Sequence, residues 1–103
     1  MRGKAESRPK KRKVLEVVIK TLAKELDVGT AELVSSDRSW RVSKARTIVG
    51  YILVRREGYG LGEVASYFGR DSATMGSLIG RLAERMERDS EARRETEKLH
   101  RGL

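Results

Sequence analysis

Apolar residues at 15, 18, 22 and 26, flanked by Val14 and Ile19, recur at the helical period and predict a first helix over about residues 12–27. Asp27-Val28-Gly29 supplies the turn chemistry that ends it. Thr30 is then expected to N-cap a short helix carrying Ala31, Leu33 and Val34, closed by Ser35-Ser36-Asp37. The clearest amphipathic pattern follows. Val42, Ala45, Ile48, Val49, Ile52 and Leu53 share one stripe and predict a long helix reaching about Arg56. After the break at Gly58-Tyr59-Gly60, the residues Leu61, Val64, Ala65 and Phe68 mark a helix of about two turns. Its first turn carries Glu63, where a negative charge suits the helix dipole. Gly69-Arg70 breaks the chain again, and Asp71 or Ser72 caps a further helix with Met75, Leu78, Ile79, Leu82 and Met86 on its apolar face.

No stretch alternates with period two, and no internal repeat is found. The expected fold class is therefore all-α. The order short helix, Gly-containing turn, longer helix over residues 61–86 is that of a helix-turn-helix; it equally describes a plain helical hairpin. Opposite the apolar stripe of the second helix lie Ala73, Ser77, Gly80 and Glu84, bordered by Arg70, Thr74 and Arg81. Small side chains there let a helix approach base edges, and Thr74, Ser77 and Arg81 can hydrogen-bond to them. Gly76 and Gly80 each lower helix stability by about 1 kcal/mol relative to Ala, so this helix depends on packing or on a ligand.

Charge changes the picture. The chain has 103 residues, with 23 Lys and Arg against 15 Asp and Glu, for a net charge of +8. Residues 1–13 hold seven basic side chains and one acid, with almost nothing to bury, and are expected to form a disordered basic arm. Phosphate binding and simple solubilisation both account for such an arm. A second block, Arg38, Arg41, Lys44, Arg46, Arg55 and Arg56, contains no acid. Lys44 and Arg46 lie about 100° to either side of the apolar stripe of their helix, where each can reach a phosphate or a groove. Arg55 and Arg56 are expected to serve the helix C-terminus. The last stretch differs: from 84 to 97 six acids meet four arginines, the pattern of a solvated helix, so residues 89–103 are expected to form a charged helical tail pointing away from phosphates.

The excess of positive charge favours a polyanion as partner. With no cysteine and a single histidine, His100, near the end of the sequence, disulfides, thiolate chemistry, metal sites and cofactors are not expected. No apolar run approaches the roughly 20 residues that span a bilayer, and the basic arm lacks the aliphatic or aromatic anchor that a membrane-surface segment needs. Gly58-x-Gly60-x-Gly62 follows no strand and reads as a turn. Tyr51, Tyr59 and Tyr67 have no general base or metal cluster beside them in the sequence and are assigned to packing and turns. Trp40, the only tryptophan, lies in the basic segment, where stacking on a sugar or base is one reading, but packing at the edge of the core is the expected one. These features argue against an enzyme and against a small-molecule substrate.

Two motifs, Leu33-x-x-Ser36 leading to Arg38-x-x-x-Val42-x-x-Ala45-Arg46, and Leu61-Gly62-Glu63-Val64-Ala65-x-x-Phe68-Gly69-Arg70-Asp71-x-x-Thr74, carry a resemblance. Over about residues 15–88 the chain resembles the C-terminal DNA-binding domain of the bacterial replication initiator DnaA and the related domain of REP-associated tyrosine transposases. The resemblance implies an all-α domain, 14–88, in which Arg70, Asp71 and Thr74 open a recognition helix in the major groove. Lys44 matches a minor-groove arginine of the family and Arg46 the basic residue after it. The family's Gly-Gly-Arg-Asp-His-Thr-Thr stands here as Gly69-Arg70-Asp71-Ser72-Ala73-Thr74, with one glycine missing, Ser72 where His stands and Ala73 where Thr stands; the replaced side chains make base contacts in the initiator, so the resemblance does not carry over the initiator's usual site. No Gly-x-x-x-x-Gly-Lys-[Ser/Thr] loop and no His-x-His pair occurs, so neither the initiator's ATPase nor the transposase's catalytic half is present in this sequence. The expectation is a cytoplasmic, nucleoid-associated protein, monomeric or weakly dimeric, that binds double-stranded DNA through Arg38, Arg41, Lys44, Arg46, Arg70, Asp71, Ser72, Ala73, Thr74, Ser77 and Arg81. The competing expectation is a helical protein-interaction module, to which the apolar content after Met86, only Ala92 and Leu99, lends little.

Overall fold

The structure, a computed structural model, describes residues 15–35 and 39–102. The basic arm, Ser36, Asp37 and Arg38 lie outside the described residues. Every regular element described is helical: α1 over 15–25, α2 Thr30–Leu33, α3 Trp40–Tyr51, α4 Leu61–Tyr67, α5 Ser72–Arg88 and α6 Ser90–Arg101. A π-helical turn, Ile52–Arg56, extends α3.

Local chemistry explains most boundaries. The chain leaves α1 through Asp27, at φ +59, while the Val28 amide donates to the Ala23 carbonyl at 2.9 Å, closing a Schellman turn with an aspartate in the position usually held by glycine. Gly29, not Thr30, precedes α2, and the Glu32 carboxylate accepts from the Gly29 amide at 2.8 Å. Ser39 caps α3 by accepting from the Val42 amide. Gly69 at φ +65 repeats the Schellman geometry after α4, with the Arg70 amide donating to the Ala65 carbonyl at 2.8 Å.

α3 is the central element. Val42, Ala45, Ile48 and Val49 are buried as their spacing predicts, and Gly50 and Tyr51 are buried with them. A Cβ on Gly50 would stand 2.9 Å from Met75 Cε, so α3 and α5 pack closely at this glycine. Phe68, Ile52, Leu53, Met75 and Ile79 join Ile19, Leu22 and Leu33 in one apolar core. The turn after Phe68 joins the short helix α4 to the longer α5.

The end of the chain departs from the expectation of a solvated tail. Helix α6 folds back on α5 and the π-helical turn: Thr96 is 2% exposed, and Ala92 and Leu99 pack against the core. Glu97 pairs with Arg56, and His100 Nε2 lies 2.7 Å from a Glu57 carboxylate oxygen. Arg56 lies in the last turn of the π-helical segment, and its guanidinium holds α6 through Glu97. The folded unit therefore continues past residue 88. Among the described residues, no helix is long and apolar enough to cross a membrane.

Candidate nucleic-acid interface

Helix α5 begins at a cap built from two of the predicted reading residues. Asp71 Oδ2 accepts from the Thr74 amide at 3.1 Å and from the Thr74 hydroxyl at 3.0 Å. Both side chains are solvent-exposed, as are Ser72, Ala73, Ser77 and Arg81. The cap thus holds Thr74 in place, with its hydroxyl lone pairs still able to accept. Ala73, Thr74, Ser77, Leu78 and Arg81 line one shallow depression. Apart from Asp71 at its edge, this face carries no acid before Glu84.

Two glycines of α5 have different physical reasons. Gly76 lies against α4, where a Cβ would meet Leu61 Cδ2 at 3.1 Å. Gly80 has nothing within 4 Å of a would-be Cβ, so internal packing does not require it.

Leu78 and Arg81 also form part of a larger groove, of about 770 Å³, recessed between α3, α5 and α6. Its α3 wall carries Trp40 and Lys44. Lys44 and the outward face of α5 therefore belong to one continuous surface, joining two regions that are nearly 30 residues apart in the sequence.

The arginines predicted to flank this surface turn elsewhere. Arg46 is only 4% exposed; its Nε donates to the Leu33 carbonyl at 2.7 Å and one terminal nitrogen to the Ser35 carbonyl at 3.3 Å. This corrects its assignment to the interface: a guanidinium enclosed in this way is a strut between α2 and α3. Arg70 also donates to the Ser35 carbonyl, at 3.1 Å, and is half-buried. Arg41 donates to the Asp27 carbonyl at 3.0 Å and pairs with Glu32 at 3.1 Å while staying largely exposed. Arg38 lies outside the described residues. Of the predicted set, then, Lys44, Ala73, Thr74, Ser77 and Arg81 come together, with Asp71 and Ser72 at their edge.

Trp40 overturns its expected place at the edge of the core. It is 73% exposed at the first residue of α3, with the Lys44 ammonium 4.9 Å from its ring centroid. Sequence reasoning also missed Arg85, Arg94 and Lys98, which border the groove; the spacing of four between Arg94 and Lys98 on one helix was the available signal. Tyr51 and Tyr59 are buried, and Tyr67 packs edge-on against Phe68 with ring centroids 5.6 Å apart. Burial pushes the Tyr59 and Tyr67 hydroxyls above their ordinary titration range, helped by Glu57 and Glu63 at the first and by Glu16 at the second.

Comparison with protein-family models and with curated proteins gives no match for this chain.

Proposed function

We propose that the chain binds double-stranded DNA, placing the N-terminal half of α5 in the major groove and the Lys44 side of α3 along the backbone and adjacent minor groove. The observation that carries this reading is the continuity of surface between Lys44 and a helix face made of Ala73, Thr74, Ser77 and Arg81. Small and hydrogen-bonding side chains suit base edges, while isolated cations beside them suit phosphates. The open space at Gly80 belongs to the same reading, since a glycine without a packing partner lets a groove wall come close. The protein acts as a monomer or weak dimer in a nucleoid-associated role.

The alternative reading, a helical protein-interaction module, would engage the mixed-charge helix at the end of the chain. The apolar stripe of α6, which a partner helix was to cover, is turned onto the chain's own core through Ala92, Thr96 and Leu99.

Anisotropy titrations of duplex DNA across a range of salt test the proposal. Each phosphate contact contributes about −0.9 to the slope of log K against log[salt], so Lys44→Ala reduces the slope by about that amount on every sequence. Ser77→Ala changes discrimination between sequences more than mean affinity. A slope unchanged by Lys44→Ala contradicts the backbone assignment.

A further inference from the structure

Of the groove between α3, α5 and α6, the duplex-binding reading uses Lys44 and Arg81 and leaves the α6 wall without a role, and Trp40 at its mouth is not needed by the core. A tryptophan gains more from burial than any other side chain of α3, yet this one is 73% exposed. Lys44, one turn further on, holds its ammonium 4.9 Å from the ring centroid. The ammonium lies over one face of the ring, so stacking of a nucleobase falls to the opposite face, with a cation close enough to meet its phosphate.

The groove behind the ring fits the same occupant. Its volume of about 770 Å³ lies within the range of roughly 300–1,000 Å³ that takes a compact ligand. Ile48, Leu78, Leu82 and Ala92 supply apolar surface for base faces. Lys44, Arg81, Arg94 and Lys98 on its borders face only Glu91 and Glu95 once Arg85 and Asp89 are set against each other at 3.7 Å. The border therefore keeps an excess of positive charge. Bases inside a duplex are already stacked on both faces, so the ligand that matches an open aromatic platform in a cationic cleft is an unpaired strand.

We propose that this groove binds single-stranded DNA, with an unpaired base stacked on Trp40 and the strand running past Arg81 toward Arg94 and Lys98. The inference rests on the duplex-binding reading, because Leu78 and Arg81 line both the face of α5 and the groove; a strand leaving the duplex passes from one to the other. The site recognises a duplex that ends in, or opens into, a single-stranded segment.

The test uses the full chain and three labelled probes: a blunt random-sequence duplex of about twenty base pairs, the same duplex with an overhang of about six thymidines, and the thymidine oligonucleotide alone. Anisotropy gives the affinities. Trp40 is the only tryptophan, so intrinsic emission reports this site alone. The overhang tightens binding about tenfold and quenches the emission by roughly half. Trp40→Ala abolishes the overhang's increment while blunt-duplex affinity stays as it was, Trp40→Phe retains most of the increment, and Arg94→Glu reduces it. Equal affinity for blunt and overhung duplex overturns the proposal, as does an increment that survives Trp40→Ala or is untouched by Arg94→Glu. The two readings fail separately. Blunt-duplex binding without an increment removes the groove site and leaves α5 as the reader, whereas quenching by the oligonucleotide without blunt-duplex binding does the reverse.

Discussion

Arg46 separates a structural account from a binding account more sharply than any other residue. Its guanidinium donates to the carbonyls of Leu33 and Ser35 at 2.7 and 3.3 Å; Leu33 is the last residue of a helix of only four residues, α2, and Ser35 lies just beyond its C-cap. A helix terminus leaves such groups without intrahelical partners, so the arginine completes what α2 cannot. Replacing it with Met keeps much of the aliphatic volume and removes the donors. Hydrogen bonds from a charged group contribute about 1.5–3 kcal/mol each, and relief from burying the charge offsets part of the loss. A net destabilisation of about 2–3 kcal/mol is expected, or roughly 10–20 °C in Tm for a domain of this size. Urea and thermal unfolding of Arg46→Met measure it. Duplex affinity, measured well below the transition, stays within about twofold of wild type. A variant that unfolds within about 0.5 kcal/mol of wild type yet binds DNA markedly more weakly would refute the reasoning and return Arg46 to the interface.

Other residues carry further expectations. Gly69→Ala costs about 1–2 kcal/mol, because the backbone there has φ +65 and a Cβ meets nothing within 4 Å, leaving conformation as the whole cost; equilibrium unfolding checks it. Gly80→Ala does the opposite, stabilising the domain by about 1 kcal/mol while weakening duplex binding, since the added methyl stands on the face that approaches DNA. Unchanged affinity would mean that this part of α5 stays clear of the groove wall. Asp89 caps α6, and its carboxyl is held below its ordinary value of 3.8, first by the hydrogen bond from the Ala92 amide and further by the Glu91 amide and Arg85. A carboxyl with a depressed folded-state pKa contributes stability that is present above the unfolded value and lost as pH falls through the folded one. Docking of α6 therefore weakens below about pH 3.8. Hydrogen exchange of α6 amides follows this, and Asp89→Asn removes that part of the pH dependence.

Periodicity made α3 and α5 legible, because their core-facing residues are contiguous stripes of aliphatic side chains. Val42, Ala45, Ile48 and Val49 are all buried where the spacing puts them. The same stripe runs on through Ile52 and Leu53, which hid the π-helical turn, marked by the bond from the Glu57 amide to the Ile52 carbonyl five residues back. The Arg46 strut was not legible, since a wheel places it at the border of the stripe and only a nonlocal partner, α2, covers that border. Trp40 was misread because a residue at the first position of a helix can project past the core that its neighbours fill. The docking of α6 was missed through Thr96, counted as polar. Its hydroxyl donates to the Ala92 carbonyl at 3.0 Å, which spends the polar group locally and lets 92, 96 and 99 pack as one stripe. Of the candidate interface, the exposed face of α5 was visible in the sequence, whereas its continuity with Lys44 and the groove comes from the packing of α3 against α5.

The central claim is that the exposed face of α5 reads duplex DNA. Selection of the purified full chain against a random double-stranded library at physiological salt tests it most directly, with anisotropy titration of the enriched sequence against a scrambled control. The account predicts an enriched motif bound at least about a hundredfold more tightly than the control, with Thr74→Ala and Ser77→Ala altering the motif. A population that stays random through selection, bound with equal affinity to the scrambled control, would contradict it.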